Sequence, residues 1–116
     1  LNRNMPVINI DPGFEDFLKT KMDFDKFGVS ITLSPTEQER LIAGLKVELK
    51  RLTDIGQRQV LLTTSPQIRA GLRQMTHRTL PRMAVLCINE VTSETNAIVR
   101  GILKADVLQA ASQPGR

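Results

Sequence analysis

Residues 59–91, QVLLTTSPQIRAGLRQMTHRTLPRMAVLCINEV, carry the reading that decides the fold. Gln59 to Thr63 (QVLLT) is a short apolar run of strand length, the kind that a sheet buries. Ser65-Pro66 supplies a helix N-cap and a proline at the first helical position, where the missing N–H costs nothing. Ile68, Leu72 and Met75 then recur on one helical face, with Gly71 a weak point in the interior. Pro81 closes the helical region, and Ala84 to Ile88 (AVLCI) is a second apolar run of strand length. Strand, helix and strand in close succession form a crossover unit, which lays its two strands parallel.

The alternation continues on both sides. Upstream, Met5 to Ile10 (MPVINI) is a strand, followed by Asp11 as N-cap and Pro12 at the first helical position. Glu15 and Asp16 in the next turn suit a helix N-terminus. Phe14, Phe17, Leu18 and Met22 space as one helical face until Gly28 breaks the pattern. Asp23 to Lys26 reads as a charged loop with Phe24 or Phe27 tucked beneath it. Val29 to Leu33 (VSITL) alternates with period two. Ser34-Pro35-Thr36-Glu37 is a capping box. It opens a helix whose apolar stripe is Leu41, Ile42, Leu45, Leu49 and Leu52, and Gly56 stops it. Downstream, Asn89 to Asn96 is turn-like, and Ala97 to Leu103 reads as a last strand with Gly101 at a bulge. Ala110 to Arg116 has the composition of a tail.

This order predicts an α/β fold: a compact sandwich with a mixed, largely parallel sheet of four or five strands and three main helices. The last two strands are expected to pair antiparallel through the 89–96 turn. The division expected is a folded unit over residues 1–105 and a tail over 106–116.

At 116 residues, 41% hydrophobic and 24% charged, the chain has the size and composition of one globular domain. Four Phe without Tyr or Trp make its core aliphatic. Leu1 in place of an initiator Met implies a piece of a longer protein. No signal peptide is visible, and no run approaches the roughly 20 apolar residues of a membrane span. The single cysteine, Cys87, excludes an internal disulfide. A net charge of +4 favours acidic protein, anionic lipid or nucleic acid as partner.

Arg69, Arg73 and His77 fall four residues apart and share one helical face, with Arg78 and Arg82 nearby. This set is the candidate protein-binding surface; a solvated face over the sheet edge is the other reading. Thr63-Thr64-Ser65-Pro66 leads into a helix N-terminus, where free N–H groups bind anions. It has no glycines to cradle a phosphate, so it reads as a cap. Cys87 sits in an apolar run away from His77, the one histidine, and reads as buried. Asp11, Glu15, Asp16, Asp23 and Asp25 lack the spacing of a metal site. Glu90 caps the following turn or pairs with an arginine. No nucleophile, base and orienting group assemble, so no enzyme and no cofactor are expected.

The stretch from Val60 to Glu90 resembles a signature region of the flagellar and virulence type III export-gate family, FlhA/SctV or FHIPEP. The family pattern runs Pro-Val-Leu-Leu, Ser-Pro, Ile-Arg, a second Arg four residues on, Leu-Pro, then Val-Leu-Ser-Tyr-Asn-Glu-Ile. Its counterparts here are Val60, Leu61, Leu62, Ser65, Pro66, Ile68, Arg69, Arg73, Leu80, Pro81, Val85, Leu86, Asn89 and Glu90. Ile8 to Pro12 and Leu33 to Pro35 extend the likeness over most of residues 6–103. The chain departs from the pattern at Gln59 for Pro, at Cys87-Ile88 for Ser-Tyr, at Val91 for Ile, and in a longer tail.

The resemblance implies the fourth cytoplasmic subdomain of a bacterial inner-membrane protein whose cytoplasmic region forms a nonameric ring. The implied partners are other subunits of the secretion apparatus, export chaperones and secreted substrates, with membrane contact only through the preceding part of the parent. The isolated piece is expected to be monomeric. A small basic nucleic-acid-binding α/β domain is the alternative, although stacking aromatics beside the arginines are missing.

Overall fold

β1 (Arg3–Ile10) runs through the interior of a four-stranded parallel sheet ordered β5-β4-β1-β6, with β4 at Val60–Thr63, β5 at Ala84–Cys87 and β6 at Thr95–Leu103. The computed structural model describes residues 3–110. Helices α1 (Pro12–Lys19), α2 (Pro35–Thr53) and α3 (Pro66–Thr76) are the main ones. A separate antiparallel hairpin, β2 (Met22–Asp25) with β3 (Gly28–Ile31), lies between α1 and α2 in the chain. Short α4 (Val107–Ala110) follows β6, and its Leu108 is buried in the core. The boundary expected at residue 105 falls just before it; residues 111–116 of the expected tail lie outside the described residues.

One aliphatic core joins the helices to one face of the sheet. Phe14 and Leu18 of α1, Leu41, Leu45, Leu49 and Leu52 of α2, and Ile68 and Leu72 of α3 pack against Ile8, Leu61 and Leu103. The spacing of these residues is the helical stripe legible in the sequence. A second, smaller cluster, Val7, Val60 and Leu62, occupies the other face of the sheet.

The α/β class, the three main helices and the parallel sheet agree with the sequence reading. Three local expectations do not. β5 and β6 are not antiparallel neighbours; they lie parallel at opposite edges. The link between them turns through a 3-10 segment, Ile88–Glu90, then runs back across the Val7/Val60/Leu62 face with Val91 packed on it. β6 therefore starts beside the start of β1, where Arg3 N donates to Glu94 O at 2.7 Å. Met22 does not extend α1: that helix ends at Lys19, and Met22 opens β2. Nor do the hairpin phenylalanines tuck under a loop; Phe24 and Phe27 are 66% and 88% exposed. The period-two pair Met22 and Phe24, facing Ile31 and Val29 across the turn, is the signal that would have found β2.

Two glycines mark close approaches. The β1–β6 register slips between Val7 and Ile8, so Val7 faces Val99 while Ile8 faces Gly101, leaving Arg100 as the extra residue of a bulge. Gly101 lies under α2, where a Cβ would collide with Glu48 Oε1. Gly71 sits mid-helix in α3 because a Cβ there would come within 2.6 Å of Ile31 Cγ1 on β3. The weak point in helix propensity is the contact that lets the hairpin pack on the helix.

Candidate functional site

The β4–α3 junction positions the candidate face. Ser65 Oγ accepts from Ile68 N at 3.2 Å, the N-cap expected from the sequence. Just before it, the junction is held from a distant element. Glu15 of α1 is only 4% exposed, and its carboxylate accepts from Thr63 Oγ1, from Thr64 N at 2.8 Å and from Thr64 Oγ1 at 2.7 Å. The Thr-Thr-Ser segment thus receives an anion, and that anion is the chain's own side chain. Sequence reading assigned Glu15 to the dipole of α1 and missed this tie, because nothing local links residues 48 and 49 positions apart.

With its start fixed and Ile68 and Leu72 fully buried, α3 turns a defined face outward. Arg69, Arg73 and His77 come together there as predicted, lining a shallow groove with Ala70 and Gln74, which the sequence reading did not single out. Arg69 Nε lies 3.5 Å from Glu90 Oε1, and the same carboxylate oxygen accepts from Cys87 N at 2.8 Å. Glu90 thus does both things expected of it: it caps the turn after β5 and pairs with an arginine. At 3.5 Å and partial exposure the pair is weak in energy, but it fixes where the Arg69 head group sits. Arg73 is exposed and has no ion-pair partner among the described residues. His77 Nδ1 lies 3.0 Å from Gln74 O, a carbonyl that can only accept, so this nitrogen carries a proton. Arg78 and Arg82 are exposed on the segment after α3 and do not line the groove.

The groove is a shallow, positively charged strip suited to acidic side chains. Cys87 is 1% exposed, as a packed core thiol. Among the described residues, no group of three or more His, Cys, Asp or Glu side chains could hold a metal ion. No helix among them is long and apolar enough to cross a membrane.

Comparison with solved structures shows the fold shared. The chain is similar to the Chlamydia pneumoniae CdsV protein, with 20% identity and a TM-score of 0.71 over 88% of this chain and 29% of that one. It is similar to nonameric SctV-C from EPEC, with 24% identity and a TM-score of 0.71 over 87% and 29%. Shigella flexneri MxiA matches at 17% identity and a TM-score of 0.68 over 89% and 32%. The chain therefore spans less than a third of the length of these relatives. No curated protein sequence matches it. The model of the FHIPEP family matches residues 1–96, which contain β1 through β5 and the arginine-bearing face of α3, and the chain belongs to that family.

Proposed function

We propose that this chain is the C-terminal subdomain of the cytoplasmic region of a type III secretion export gate, acting as a protein-docking module in the cytoplasmic ring. The FHIPEP match over residues 1–96 carries this reading. Two relatives that share the fold support it: one is a nonameric SctV-C, and CdsV is known in a complex with CdsO. On this reading the membrane-spanning helices belong to the preceding part of a bacterial inner-membrane protein, and this subdomain faces the cytoplasm. It supports the recognition and transfer of chaperone–substrate complexes, with the Arg69/Arg73/His77 face as the docking strip for acidic surfaces. Arg78 and Arg82 add positive potential at its end.

The nucleic-acid alternative finds less support. Arg69 is engaged by Glu90, whose charge opposes a phosphate, and among the described residues no aromatic ring lines the groove for bases to stack on.

The test is the double substitution Arg69→Glu/Arg73→Glu in the intact parent. Export of substrates into the medium should fall about tenfold or more, the loss expected when complementary charges become like charges. Parent levels should stay unchanged. Normal export by the double variant would remove the basic face from the proposal.

A further inference from the structure

We propose that the cavity between the first half of β1 and the loop leading into β4 is a binding site for an acidic peptide, held by its carboxylate side chain. Arg3, Met5 and Pro6 line it from β1, and Gln57, Arg58 and Val60 line it from the loop and the start of β4. The cavity exists because the sheet is incomplete there. β1 pairs with β6 from Arg3 onward, but its ladder with β4 begins only at Ile8. Successive strand residues turn their backbone groups to opposite neighbours. Arg3 N donates to Glu94 O on the β6 side, so Asn4 and Pro6 face the β4 side, ahead of the first rung. Pro6 is tolerated in an interior strand for this reason: the N–H that it lacks would have had no ladder partner.

Two cations face this gap without a counter-charge. Neither the Arg3 nor the Arg58 guanidinium has an ion-pair partner among the described residues. Glu94 shares a neighbouring cavity with Arg3 and makes no ion pair with it. Guanidinium forks suit carboxylate and phosphate alike. The rest of the lining chooses between them: Met5, Pro6 and Val60 suit a carboxylate on a methylene stem and would leave phosphate oxygens unpaired. At about 220 Å³ the cavity is smaller than the roughly 300–1,000 Å³ that encloses a drug-sized ligand, so it takes one side chain and not a nucleotide. The open strand edge favours a peptide over a free acid. The sheet leaves the Asn4 N–H and the Asn4 and Pro6 carbonyls unclaimed, and an extended backbone laid along β1 pairs with them as a short added strand. The site shares no residue with the α3 face, so it stands apart from the proposed function.

The experiment is an amide-shift titration of the isotope-labelled 116-residue chain with a short blocked peptide that carries one Glu between two Val. The Glu peptide should move the amides of Asn4, Met5, Arg58 and Val60 saturably. Its Gln counterpart should bind at least about tenfold more weakly, since the charge-assisted bonds are lost. Arg3→Gln and Arg58→Gln should each weaken the Glu peptide about tenfold. Both side chains are exposed, so core amides such as those of Leu45 and Leu61 keep their shifts and report an intact fold. Sodium butyrate, which has the carboxylate and the stem but no peptide backbone, should bind about tenfold more weakly than the Glu peptide. Equal binding of the Glu and Gln peptides, or of the Glu peptide to the unaltered chain and both arginine variants, overturns the proposal. Butyrate binding as tightly as the Glu peptide assigns the cavity to a free small acid and overturns it as well. Shifts confined to Arg69, Arg73 and His77 would sink this site and leave the proposed function standing.

Discussion

Helices α2 and α3 begin with the same Ser-Pro device and the same side-chain cap, and differ in what receives the N–H of the capping serine. At α2 everything is local: Glu37 N donates to Ser34 Oγ at 3.1 Å, and Ser34 N donates to Glu37 Oε1 at 2.9 Å, in an exposed capping box. At α3 the third helical residue is Ile68, which has no carboxylate to return; Ser65 N donates instead to Thr63 Oγ1 at 3.3 Å, and Thr63 Oγ1 in turn donates to the buried carboxylate of Glu15 on another helix. The first arrangement stabilises one helix. The second ties α1, the end of β4 and the approach to α3 into one unit, so it aims the basic face.

The largest effect should follow from breaking the long-range tie. Glu15→Ala leaves Thr63 Oγ1, Thr64 N and Thr64 Oγ1 without their acceptor, and we expect a loss of about 3 kcal/mol. The urea midpoint by far-UV circular dichroism measures it, and a cost no greater than that of Ser34→Ala would show the tie to be dispensable. Glu15→Gln keeps one acceptor oxygen and should cost about half as much.

Gly71→Ala comes next and sets local against tertiary preference. Helix propensity alone favours Ala by about 1 kcal/mol. The clash with Ile31 should outweigh that and leave a net destabilisation of about 1 kcal/mol or more. A stabilised variant would mean that the hairpin yields easily. Ser34→Ala, which removes only the local cap of α2, should cost about 1 kcal/mol in the same melts and leave export unaffected. Smallest of all is Lys50→Ala, which breaks an exposed i,i+4 pair with Asp54 at 2.8 Å; under about 0.5 kcal/mol is expected. A larger loss there would make the solvent side of α2 part of something more than a helix surface.

What was legible in the sequence follows the same division. The Ser34 and Ser65 caps, the Leu41/Leu45/Leu49 stripe and the apolar runs of β4 and β5 depend on neighbours within one turn or one strand, and each appears where it was read. The bulge at Gly101 was legible too, since a glycine inside an apolar run has few other uses. The partner of β6 was not. Strand pairing is decided by which edge is free across the whole fold, and the short 89–96 turn suggested a hairpin where the chain makes a crossing. β2 was hidden because two of its four residues, Asp23 and Asp25, are poor strand formers and its Met22 continued the spacing of α1. Of the site, the Arg69/Arg73/His77 stripe followed from helical spacing, and Glu90 from its place at a strand end. Glu15 could not have been found, since its role exists only once α1 and β4 have met.

The pairing of β1 with β6 also governs when this fold can complete. Arg3 and Thr95 are register partners 92 positions apart, by subtraction of their numbers, and β1 is an interior strand of the sheet. At synthesis rates of roughly 5–20 residues per second, β1 waits on the order of 5–20 s after its own synthesis before its second neighbour exists. Through that interval one side of an apolar parallel strand stays open, which makes this the stage at which the nascent chain is most exposed to wrong pairing and to chaperone capture.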